Sequence, residues 1–164
     1  METLPPEKSE VRYAGFWLRF VAYLIDDLVL GLAGFLLSLP FVGGIVLSAI
    51  GIGENSDFDE KTVLGIAGIL GSVMGLVIVI AVLGWLYFAL MESSKSQATL
   101  GKMALNLKVT DMDGNRISFG RATGRYFGKI ISGMILYIGY ILAGLTEKKQ
   151  ALHDMMASCL VVRK

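Results

Sequence analysis

The chain has 164 residues, of which 54% are hydrophobic and 18% charged, and its mean hydropathy of +0.64 excludes an ordinary water-soluble domain. It reads as a small integral membrane protein of one domain. The net charge of +1 hides a segregation of charge along the chain that bears on orientation; no nucleic-acid partner is expected.

Residues 1–12, METLPPEKSEVR, lack the apolar core of a cleavable signal peptide and read as a flexible cytoplasmic tail. The stretch from Gly15 to Leu39 has the character of a membrane-spanning helix yet holds Arg19, Asp26 and Asp27 in its first half. A charge near the bilayer centre costs roughly 3 kcal/mol on insertion scales, so such residues face a partner or a wet cavity. Arg19, Tyr23 and Asp26 form one stripe, with Asp27 turned about 100° away. Arg19 and Asp26 lie about 10 Å apart along the axis, so each needs a partner on another segment: Asp154 or Glu92 for Arg19, and Arg121, Arg125 or Lys129 for Asp26 or Asp27. Tyr13, Phe16, Trp17 and Tyr23 supply the aromatic belt of a membrane interface.

The apolar run from Phe16 to Ile52 exceeds the roughly 20 residues that cross a bilayer. Pro40 with Gly43 and Gly44 predicts a helix to about Leu39 and a second short helix from Phe41 to Gly51. The acidic loop GIGENSDFDEK belongs outside the cell, and its Asp57, Asp59 and Glu60 lack the order of a calcium loop. Thr62 to Met91 is the clearest span; Gly71 and Gly75 form a GxxxG that serves ordinary packing.

Glu92 to Ser118 carries an excess of lysine and arginine and reads as cytoplasmic. Alternation from Leu105 to Thr110 and the turn Asp113-Gly114 predict a short β-hairpin. Lys102 in TLGKM is not the lysine of a phosphate loop and reads as a headgroup-facing charge. From Phe119 the chain opens an amphipathic helix with Arg121, Arg125 and Lys129 on one face, then turns apolar. Glycines through this stretch and a basic tail predict a bent segment, to Leu145, that returns to its starting side. The closing SCLVVRK is a strand candidate for the free edge of Leu105 to Thr110. Cys159 stands alone and reads as a buried structural thiol.

The expected fold is thus an all-α membrane bundle of about three hydrophobic segments with a short cytoplasmic β-hairpin. The segments RFVAYLIDD, SQATLGKMALNLKVTDMDGNRISFGRATGRYFGKIISG and KKQALHDMMASCLVV resemble the RDD family of bacterial membrane proteins. Arg19, Asp26 and Asp27 stand where that family has its naming arginine and aspartates. Gly101-Lys102, Asp111 to Gly114, Arg121, Arg125 and Leu152-His153-Asp154 match its other signatures, whereas Ala157-Ser158-Cys159 replaces its usual small residue followed by Gly-Thr. The resemblance covers residues 13–164 as one domain and implies a multi-pass protein of the bacterial inner membrane; cation/proton antiport is the activity suggested for some members.

On these residues the chain is expected to be a transport protein exchanging monovalent cations and protons at Asp26 and Asp27. Arg19, Arg125, Asp154 and His153 are the counter-charge or gating groups, supported by Tyr23, Lys102 and Arg121. The alternative is a membrane scaffold or accessory subunit in which the same charges lock assembly. No nucleophile elbow or metal-ligand spacing appears, so no enzyme activity, metal or cofactor is expected. The thin bundle predicts self-association in the lipid bilayer.

Overall fold

The structure is a computed structural model that describes residues 11–53, 60–134 and 138–164. The expected tail up to residue 10 and most of the acidic loop, including Asp57 and Asp59, lie outside them. In chain order the elements are α1 (Phe16–Gly53), α2 (Glu60–Ser93), α3 (Leu100–Ala104), β1 (Leu107–Asp111), α4 (Phe119–Met134), α5 (Ile138–Leu145), α6 (Leu152–Met156) and β2 (Cys159–Arg163).

Two helices are long and apolar enough to cross a membrane, Phe16–Ile52 and Glu60–Ser93. The break expected at Pro40 does not occur: α1 continues through it to Gly53. A proline forfeits one backbone bond, here to the Leu36 carbonyl, and membrane helices tolerate that loss when the flanking residues are apolar. Helix α1 has 38 residues, about 57 Å at 1.5 Å per residue against a hydrocarbon core of ~30 Å. The surplus is therefore taken up by length and not by a second helix.

The third apolar segment is bent, as its glycines predict, with α4 and Gly139–Leu145 meeting at 98°. Apolar residues alone do not hold α4 against its neighbours. Gly128 on α4 comes so close to α6 that a β-carbon there would lie 3.1 Å from His153 Cβ. The Ser132 hydroxyl donates to the Gly128 carbonyl at 2.9 Å, and Tyr140 donates to the Lys129 carbonyl at 3.1 Å.

By internal packing the chain forms two units, one of residues up to Ile25 with Phe88–Lys164, the other of Asp26–Tyr87. In the second unit small residues set the approach of α1 and α2. Gly44 faces Ser72, Gly68 faces Ser48, and Gly75 receives the Phe41 ring, while a β-carbon on Gly71 would have nothing within 4 Å. The GxxxG is thus half used.

In the first unit β1 pairs antiparallel with β2, Leu107 opposite Arg163 and Asp111 opposite Cys159. The partner of β1 is the C-terminal strand; the turn at Asp113-Gly114, with Gly114 at φ +87°, closes on a backbone bond from Asp111 N to Asn115 O of 2.9 Å. Leu107, Val109, Val161 and Cys159 are fully buried between the sheet and the helices. Burial raises the Cys159 thiol to about 11, which suits a structural thiol.

The other edge of β2 takes the residues that lead into α1: Tyr13 bridges Val162, Ala14 N donates to Val161 O at 2.8 Å, and Arg163 N donates to Arg12 O at 2.9 Å. The entry to α1, strand β1 and strand β2 therefore lie together in the first unit. The expected outcome of labelling follows. In a Cys159→Ser background, Lys148→Cys and Lys61→Cys should react with an impermeant thiol reagent from opposite sides, because Lys61 opens a helix long and apolar enough to cross a membrane. Reaction of both from one side would sink this topology.

Candidate functional site: a buried charge network

Five elements of the first unit deliver ionisable side chains to one place. Arg19 comes from the second turn of α1, Glu92 from the last turn of α2 and Lys102 from α3. Arg125 and Lys129 stand one turn apart on α4, and His153 and Asp154 come from α6. Glu92, Arg125 and Asp154 are each 2% exposed or less. Buried carboxylates are tolerated only when paired and hydrogen-bonded, and both are.

Arg125 is the hub. Its Nε donates to Asp154 Oδ1 at 2.7 Å and its Nη1 donates to Glu92 Oε2 at 2.6 Å, so one planar guanidinium holds two acids with different nitrogens. Arg19 donates through Nη1 to the other oxygen of Asp154, through Nε to the Ala14 carbonyl at 2.8 Å and through Nη2 to the Lys149 carbonyl. Lys102 donates to Glu92 Oε1. Lys129 stands 3.8 Å from the same oxygen, its ammonium 3.8 Å from the centre of the Phe88 ring.

Asp154 also receives the Ala151 amide at 3.1 Å, the reach-back of an acid in the first turn of a short helix. Burial opposes its ionisation, but the Arg125 and Arg19 guanidiniums outweigh burial and hold the carboxyl well below the usual carboxylate range. His153 has the opposite balance. Burial pushes its imidazole down to about 3, and the carboxylate of Asp154, 3.4 Å from Nε2, does not restore it. Its Nδ1 lies 3.4 Å from the Ser132 hydroxyl and its ring 5.2 Å from that of Tyr140. At neutral pH the ring is an uncharged hydrogen-bonding and packing group.

The residues singled out in the sequence thus part company. Arg19, Arg125, Lys102, His153 and Asp154 meet, and Arg19 takes Asp154, one of the two acids expected for it. Lys102 is not headgroup-facing: it is buried on Glu92 because α3 turns its third residue inward. Arg121 is exposed, one turn short of the network. Arg125, counted as a counter-charge for Asp26 or Asp27, is engaged by Glu92 and Asp154 instead. Asp26, 1% exposed, accepts a hydrogen bond from the Tyr87 hydroxyl at 2.7 Å within the second unit. Asp27 and Tyr23 are exposed on α1. Glu92, expected only as a partner for Arg19, pairs with Arg125 and Lys102 instead; the signal for it is an acid that ends the uncharged run from Thr62 to Met91.

The described residues hold no group of three or more His, Cys, Asp or Glu placed to take a metal ion. Chemically, the network can fix geometry, and its two acids are each held by at least two bases.

A family model described as RDD family matches residues 13–158. The chain is similar to "Uncharacterized protein YxaI" of Bacillus subtilis, 38% identical over 151 residues that cover 92% of this chain and 97% of that protein. It is also similar to "Uncharacterized membrane protein YteJ" of the same organism, 32% identical over 168 residues covering 97% and 88%. No solved structure matches it.

Proposed function

The chain belongs to the RDD family, and from that premise we propose that it is a non-enzymatic accessory or scaffold protein of the bacterial inner membrane, its entry end and C-terminus cytoplasmic. The observation that carries this reading is the exposure of its spans: none of the most apolar window of either long helix is buried. A carrier must enclose its cargo, and spans whose most apolar stretches are uncovered do not enclose a path there by themselves. They offer packing surface to membrane helices of a second copy or of another protein. Asp27, a carboxylate exposed on an apolar helix, supports the same reading, since a facing helix with a donor would relieve its cost. The charge network then serves as the lock that fixes the membrane-entry residues, α4, α6 and the sheet as one body.

A second reading, exchange of monovalent cations and protons, is favoured by Asp26, a buried acid inside an apolar helix with a phenol as its donor. Glu92 and Asp154 are clamped by bases, whereas the acceptor role of Asp26 toward Tyr87 lies outside that network. Purified protein in liposomes with an internal pH-sensitive dye, challenged with sodium, potassium and lithium, separates the two. The scaffold reading expects no gradient dissipation by wild type shown to be inserted, and the same from Asp26→Asn. Cation-dependent flux that disappears in Asp26→Asn would overturn it and establish exchange.

A further inference from the structure

Beside the entry to α1 the first unit carries an open groove of about 840 Å³ that the charge network does not use. Three of its lining residues, Arg12, Lys149 and Arg163, are basic and none is acidic. All three are exposed, and none forms an ion pair among the described residues. The fold brings them together by separate means. Arg12 and Arg163 are joined by a backbone hydrogen bond at the edge of β2. Lys149 sits in a left-handed turn at φ 48°, with its ammonium 3.7 Å from where a β-carbon on Gly15 would be.

The rest of the lining is largely apolar, and three of its side chains face outward: Trp17 is 73%, Leu145 76% and Ile141 49% exposed. The groove therefore joins a cluster of unpaired cations to apolar side chains at the first turns of a membrane helix. We propose that it binds an anionic phospholipid, the phosphate of the headgroup held by Arg12, Lys149 and Arg163 and the upper acyl chain lying along Trp17, Ile141 and Leu145. A soluble anion would satisfy the cations but gain nothing from the exposed tryptophan and leucine. A zwitterionic lipid would fill the apolar part but bring its own positive charge to the cations. Basic residues at a membrane surface are worth roughly fivefold each in affinity for anionic lipid.

Trp17 is its own reporter. The chain has two tryptophans, so full-length Trp85→Phe protein in vesicles leaves Trp17 to be quenched by brominated phosphatidylglycerol or brominated phosphatidylcholine. The expected result is a preference of at least about fivefold for phosphatidylglycerol, falling to near parity in Arg12→Gln/Lys149→Gln/Arg163→Gln and part of the way in Lys149→Gln alone. Lys108→Gln, which changes a lysine outside the groove, should leave the preference intact, and so should millimolar inorganic phosphate. Equal quenching by the two lipids in protein with an unaltered thermal transition overturns the proposal. Loss of preference on adding phosphate overturns it in favour of a soluble-anion site. An effect of Lys108→Gln equal to that of Lys149→Gln reduces the preference to general surface charge and overturns it as well.

Discussion

Arg125→Met is expected to remove most of the folded protein, the largest loss from any single substitution in the chain. Breaking a buried pair by taking one member costs about 3 to 5 kcal/mol because the other charge is left behind. Arg125 is shared by two, Glu92 and Asp154, which it holds at 2.6 and 2.7 Å, and its loss leaves Glu92 only with Lys102 and Lys129 and Asp154 only with Arg19 and His153. That cost is a large share of the 5 to 15 kcal/mol by which proteins are stable. Arg125→Lys should recover only part of the loss, since a single ammonium lacks the two separate nitrogens that reach the two acids. The triple replacement Arg125→Met/Glu92→Gln/Asp154→Asn should be less damaging than the sum of its parts, the mark of groups that act together. Accumulation in the membrane and the thermal transition in detergent measure both. A folded Arg125→Met protein with wild-type stability would show that the network is not the lock.

The segments of this fold were legible in the sequence because hydropathy and glycine spacing act locally. The long apolar runs, the bend within residues 119–145 and the strand character of SCLVVRK all follow from near neighbours. Pro40 shows the limit of that local logic, since its cost of one backbone bond is smaller than the gain from continuing an apolar helix in lipid. Charges were legible as a set but not as pairs. Arg19 and Asp154 are 135 residues apart and Arg125 and Glu92 33 apart, and no periodicity connects such positions. Lys102 illustrates the consequence: on a short polar segment it reads as a surface charge, yet the acid that buries it is ten residues away across a turn. Asp26 and Asp27 are adjacent in sequence but lie on different faces of α1, one buried with Tyr87 and one exposed. A helix makes that divergence inevitable, while the choice of which aspartate turns inward belongs to the packing of α2.

Acidification should expose the state of His153 before any carboxylate begins to matter. The folded imidazole is held down to about 3 by burial, with the Arg125, Lys129 and Arg19 charges adding to it against Asp154, whereas an unfolded histidine titrates near 6.5. Below pH ~6.5 the unfolded chain binds a proton that the folded chain refuses, so stability falls as pH falls, by roughly 1 kcal/mol per pH unit until the folded ring itself titrates. Asp154 has its folded pKa depressed, so its contribution is present above about pH 4 and is lost only below that. Between pH 6.5 and 4.5 the two effects are therefore separate in pH, and because the chain has one histidine, no other histidine shares the window. Thermal transitions of wild type and His153→Gln at pH 6.5, 5.5 and 4.5 supply the check. Wild type should lose stability stepwise across the series while His153→Gln, whose amide keeps hydrogen-bonding capacity without taking up a proton, stays nearly level until carboxylates titrate. Parallel curves for the two proteins would mean that the buried ring accepts a proton as readily as an exposed one, and that α6 opens to water at mild acidity.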